Sequence, residues 1–96
     1  MSKEYKNVLI EIDDKDLKFE NPVKVLRNHQ SDKLIGLATL ANTETGLFAD
    51  IVLNESLPES EYYPSIGFKR IDEKRGKIMN LGICDNQNID IRIPKL

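Results

Sequence analysis

The chain carries one cysteine, one histidine, no tryptophan and no long apolar run. Each scarcity removes a class of explanation. Cys84 alone cannot close an internal disulfide, so it reads as a small buried apolar residue in a reducing compartment. With His29 as the only histidine, no cysteine–histidine grouping supports zinc. No apolar stretch approaches the ~20 residues needed to span a bilayer. The Met1–Lys6 start leads into a Val8–Ile12 run that is too short and too acidic at its flanks for a signal peptide, so no leader is expected. Charge of one sign is also missing: 14 basic and 16 acidic residues give a net charge of −2, and no more than two basic residues are adjacent. Phosphate neutralisation, and with it nucleic-acid binding, is not suggested. There is no glycine-rich phosphate loop. Asp13, Asp14 and Asp16 crowd one turn, but Lys15 interrupts them and no glycine follows, so a solvated turn is expected rather than a calcium loop. The sequence therefore calls for no metal or cofactor, no nucleic acid and no membrane.

What is present is a folding chain. Ninety-six residues, 40% hydrophobic and 31% charged, suit a single globular domain spanning residues 1–96. Short apolar runs separated by turn-rich clusters point to an all-β fold: a small, barrel-like antiparallel domain of about six to eight short strands with little helix. Expected strands are Tyr5–Ile12, Leu17–Phe19 and Val23–Leu26, with Asn21-Pro22 as a turn between the last two. Lys33–Ala41 and Leu47–Leu53 read as a hairpin around Asn42–Gly46, with Gly46 in a left-handed conformation. Both arms are nearly continuously apolar, which predicts that both faces are covered. Ser65–Ile71 and Lys77–Ile83 read as a second hairpin around Asp72–Gly76. Ile89–Ile93 alternates strictly and stops at Pro94, as an edge strand would. Pro58 and Pro64 leave room for no more than one helical turn between the hairpins. The order expected is a meander.

Two residues carry potential chemistry. His29 follows the third expected strand, and Ser65 opens the second hairpin. If the sheet brings them together, they form a nucleophile and its base, oriented by a third group. With no second histidine, that third group is a carboxylate, a backbone carbonyl or absent, and Asp32, Asp50 and Glu61 are unranked carboxylate candidates. The plain alternative makes His29 a loop residue and Ser65 a polar strand position. Gly67, two residues on, reads as a bulge, a bend, an amide beside a reacting carbonyl, or room for a neighbouring ring. Tyr62, Tyr63 and Phe68, aromatics near Pro64, are either interface anchors or core plugs, with Tyr62 expected to be the more exposed. Tyr62, Tyr63 and Pro64, with Ile89, Ile91 and Ile93 of the terminal strand, are the expected protein-binding positions, through strand addition at an edge.

Taken in order, Asn28-His29, Ile35-Gly36, Gly46-Leu47-Phe48 and Ser65-Ile66-Gly67-Phe68 resemble the motifs of the prohead proteases of tailed bacteriophages, which share a fold with herpesvirus assembly proteases. The resemblance covers Val23–Phe68. It implies a β-barrel, a place in capsid assembly, His29 as base and Ser65 as nucleophile, and scaffold or coat-protein segments as substrates. The chain departs from the family pattern at Gln30, where the family usually has Asp, and in the short connector Asn54–Pro64, where the family has a helix. A C-terminal helical region is also not seen. From these departures the expectation is an auxiliary structural protein of the phage capsid that keeps the barrel and binds coat protein without catalysis, located in the virion after assembly in the host cytoplasm. It would form a homo-oligomer or join a capsid-symmetric assembly. The alternative is a minimal prohead serine protease using Ser65 and His29.

Overall fold

The computed structural model describes residues 3–13, 17–55, 57–58, 61–73, 76–85 and 92–96. Among them are six strands: β1 (Lys3–Glu11), β2 (Lys18–Arg27), β3 (Leu34–Thr43), β4 (Gly46–Leu53), β5 (Tyr63–Arg70) and β6 (Gly76–Cys84). The described residues contain no helix, and the fold class is the all-β one the sequence predicts. The strands form one sheet in the order β1-β4-β3-β2-β6-β5. The sheet curls until its two edge strands, β1 and β5, touch.

The connectivity is not a meander. β2, β3 and β4 follow one another as hairpin neighbours, but β1 pairs with β4, and β6 pairs with β2 in parallel. Parallel neighbours need a long crossover, and the chain from β3 through β5 supplies one. The junction of β2 with β6 thus joins two local units, β2–β4 and the β5–β6 hairpin.

Period-two alternation builds the core. Ile51 and Leu53 of β4, Val25 of β2, and Leu81 and Ile83 of β6 are fully excluded from solvent. Each contributes about 1.5–3 kcal/mol by burial. The opposite face is not covered, contrary to expectation. Leu34, Leu37 and Val52 are 50%, 48% and 44% exposed, because β3 and β4 alternate after all. These three residues and Pro22 line an open apolar groove on the outside of the sheet.

Three local expectations also change. The first hairpin turns through only Glu44 and Thr45, since Thr43 already pairs with Gly46; the Thr43 hydroxyl donates to the Gly46 carbonyl at 2.9 Å and tightens the turn. Gly46 has the positive φ expected of it, +153°, and packs on β1: a Cβ there would lie 2.7 Å from the Glu11 carbonyl oxygen. Asn21-Pro22, expected as a turn, lies inside β2 as a cis peptide. The Asn21 side-chain amide donates to the Leu40 carbonyl at 2.9 Å and accepts from the Leu40 N–H at 2.8 Å, so it stands in for the peptide group that a ladder would offer. Ile89 and Ile91 lie outside the described residues; Ile93 is buried and not in a strand.

Candidate active site

β2 ends at Arg27, and the chain reverses at once. The Gln30 N–H donates to the Arg27 carbonyl at 3.0 Å, while Asn28 and His29 have φ +51° and +58°. Two left-handed central residues closed by that bond make a type I′ turn. Asn is among the few side chains that tolerate this conformation; two non-glycine residues in succession there are uncommon and strained by about 1–2 kcal/mol each at most. Such strain gathers at functional sites. The Asn28 N–H donates to the Ile83 carbonyl at 3.1 Å, fixing the turn against β6.

This turn lays the His29 imidazole on the outer face of β6. Leu81 and Ile83 point into the core, so Gly82 between them faces outward. The ring covers Gly82 so closely that a Cβ there would meet Cε1 and Nε2 at 2.5 Å. Gly82 pairs with Ser65 of β5, so Ser65 stands beside the ring on the same face. The result is direct contact: His29 Nε2 and Ser65 Oγ are 3.0 Å apart.

The other ring nitrogen, Nδ1, lies 2.8 Å from Asn80 Oδ1. A carbonyl oxygen only accepts, so Nδ1 carries the proton and donates. In the neutral ring, Nε2 is then the bare acceptor facing the serine hydroxyl. Asn80 reaches this place through a bulge. Gly67 pairs with Asn80 and Phe68 with Ile78, leaving Met79 as the extra residue. The bulge turns Asn80 to the outer face between core residues Ile78 and Leu81. Gly67 clears the space, since a Cβ there would sit 2.1 Å from Asn80 Oδ1. Its role is to make room, as one sequence reading held, but for an amide rather than a ring.

Sequence reasoning missed Asn80 by allowing only a carboxylate, a backbone carbonyl or no third group. Asp50 accepts from the Asn7 N–H at 2.9 Å, on the β4 side of the sheet. Glu61 pairs with Lys95 at 3.0 Å, and that ammonium holds its carboxyl below the ordinary value. Asp32 is exposed in the loop after the turn. The signal for Asn80 was available: in Ile78-Met79-Asn80-Leu81-Gly82-Ile83 the apolar spacing changes from three to two, as a bulge demands, and a glycine interrupts the strand.

Of the residues expected to meet a partner, Tyr62 and Pro64 are buried, Tyr62 at 6% exposure. Tyr63 is half-buried, reversing the expected order of the two tyrosines. The Tyr62 hydroxyl donates to the Pro58 carbonyl at 2.6 Å, and its own carbonyl accepts from the Leu96 N–H at 2.8 Å. These are bonds of a residue that closes the end of the core. Cys84 is half-buried, and burial raises its thiol above the ordinary value. Among the described residues no group of three or more histidine, cysteine or acidic side chains is placed to hold a metal ion.

No protein-family model, curated protein or solved structure matches the chain.

Proposed function

We propose that this protein is a serine hydrolase of the acyl-transfer type, acting on peptide bonds as a minimal prohead-type protease. The observation that carries the reading is the continuous contact Ser65–His29–Asn80, with 3.0 Å at Nε2 and 2.8 Å at Nδ1. Ser65 Oγ attacks the peptide carbonyl carbon as His29 Nε2 takes its proton. The imidazolium then passes that proton to the departing amine, leaving an acyl group on Ser65. Water enters by the same route: His29 removes its proton, and the acyl bond breaks to release the acid and restore the hydroxyl. Asn80 orients the ring and fixes its tautomer but brings no negative charge. It supports the imidazolium less than a carboxylate does, so slow turnover is expected, which suits limited processing of an assembling particle.

Support for the substrate class comes from the resemblance of the His29 and Ser65 segments to prohead proteases, with scaffold or coat-protein segments as the peptides cleaved. A second reading keeps the barrel as a capsid auxiliary protein that binds coat protein without catalysis. The exposed apolar groove of Leu34, Leu37 and Val52 favours it, because contiguous exposed apolar surface marks interaction sites.

Reaction with a biotinylated fluorophosphonate separates the two. Labelling of Ser65, seen by intact mass and peptide mapping and lost in Ser65→Ala and His29→Ala, is the result expected of the hydrolase. A wild-type protein that stays unlabelled, and leaves cognate coat and scaffold proteins uncut, would overturn the hydrolase in favour of the auxiliary protein.

A further inference from the structure

Beside the three site residues stands Arg27, whose side chain is only 21% exposed and makes four separate contacts. Nη1 donates to the Ile83 carbonyl at 3.1 Å and reaches Asn28 Oδ1 at 3.4 Å. Nη2 pairs with Asp85 at 2.5 Å. The guanidinium lies 4.8 Å from the centre of the Tyr62 ring, within cation–π range. None of these contacts is to Ser65 or His29. Three of them join the first residue of the His29 turn to the end of β6 and to the residue before β5, the two strands that carry Asn80 and Ser65, and the fourth, to Asn28, braces the turn itself.

The Ile83 carbonyl links the two functions. It accepts from the Asn28 N–H of the turn and from Arg27 Nη1. Arg27 thus holds the same anchor point as the strained turn. A turn with two left-handed non-glycine residues relaxes unless its surroundings over-determine it, and the planar guanidinium fork supplies several directed bonds at once. An ammonium cannot copy that geometry.

We infer that Arg27 is the positioning residue for the catalytic base. It keeps Asn28 and His29 in the type I′ turn, and so keeps the imidazole in line between Asn80 and Ser65. The inference rests on the hydrolase reading for its effect on rate, but not for its effect on the histidine ring.

The test uses Arg27→Gln and Arg27→Lys in the full chain, each alone and with Asn28→Gly. Two readouts are taken: the rate of Ser65 labelling by the fluorophosphonate, and the nitrogen-15 NMR signals of the His29 ring, which report its tautomer and hydrogen bonds. Thermal melting identifies the folded variants. Expected are a fall in labelling of about 10- to 100-fold in both single variants, the cost of an ångström-scale misplacement, and loss of the fixed Nδ1–H signal. Glycine adopts positive φ without penalty, so Asn28→Gly should restore much of both readouts in either background. Folded single variants that label at the wild-type rate and keep the wild-type ring signals would overturn the positioning role. So would double variants that stay as impaired as the single ones. If the wild type never labels, the ring signals alone decide: their change in the single variants and recovery with Asn28→Gly uphold the role of Arg27 while the hydrolase reading fails.

Discussion

Gly82→Ala asks one methyl group to separate the fold from the chemistry. A Cβ at this position would lie 2.5 Å from Cε1 and Nε2 of His29 and 2.8 Å from Cδ2. Carbon atoms rest at about 3.5–4.0 Å, so the ring must retreat by roughly 1 Å. What moves is the end of a side chain on a turn, not backbone, so β6 keeps its pairing with β2 and β5. The stability terms oppose each other. Alanine in a strand interior is favoured over glycine by about 0.5–1 kcal/mol, while weakening the bonds from His29 to Ser65 and Asn80 costs about 0.5–1.5 kcal/mol each. The net change runs from about zero to about 2.5 kcal/mol of destabilisation. The reactivity term does not cancel: a shift of this size costs about a hundredfold, near 2.7 kcal/mol in the barrier. Thermal melting and the rate of fluorophosphonate labelling, measured on the same samples, should therefore part company, with cooperative folding retained at a Tm lowered by no more than about 20 °C and the labelling almost lost. An alanine variant that labels at the wild-type rate refutes the placement of the ring over Gly82, and the reasoning built on it.

Other outcomes follow from the same packing. Gly46→Val should destabilise the protein by more than 1 kcal/mol, read by urea denaturation, because its side chain enters the 2.7 Å gap to the Glu11 carbonyl; a variant of unchanged stability would place β1 elsewhere. Asn21→Ala leaves the Leu40 N–H and carbonyl without their side-chain partner and should cost about 1–3 kcal/mol by the same method. Cys84, whose thiol burial raises, should alkylate with iodoacetamide more slowly in the folded protein than in urea at the same pH, since the thiolate is the nucleophile; equal rates would count against its burial. Asn80→Asp places a carboxylate against Nδ1 and should speed Ser65 labelling by stabilising the imidazolium, whereas Asn80→Leu should slow it sharply by freeing the tautomer.

The parts of this molecule that were legible in its sequence are the ones written locally. The arms of both hairpins follow from apolar runs closed by Gly46 and Gly76. His29 and Ser65 were legible as residue types, and their 3.0 Å contact was not, because it depends on β6 lying parallel to β2. No local pattern announces a pairing between Lys24–Arg27 and Asn80–Ile83. Asn21-Pro22 misled because a turn dipeptide by local rules becomes a strand segment once the Asn21 amide finds Leu40. The covered faces expected of β3 and β4 were an over-reading of Leu37 and Val52, whose apolar character sits on the open side of the sheet.

The parallel seam between β2 and β6 also divides the molecule's chemistry. His29 belongs to the portion before Asn54, while Ser65 and Asn80 belong to the portion after Glu61. A backbone cut between these portions puts His29 on one fragment and Ser65 and Asn80 on the other, so under the hydrolase proposal labelling of Ser65 would report fragment reunion. On that proposal, two separately expressed pieces are expected to regain reactivity only when the β2–β6 pairing re-forms.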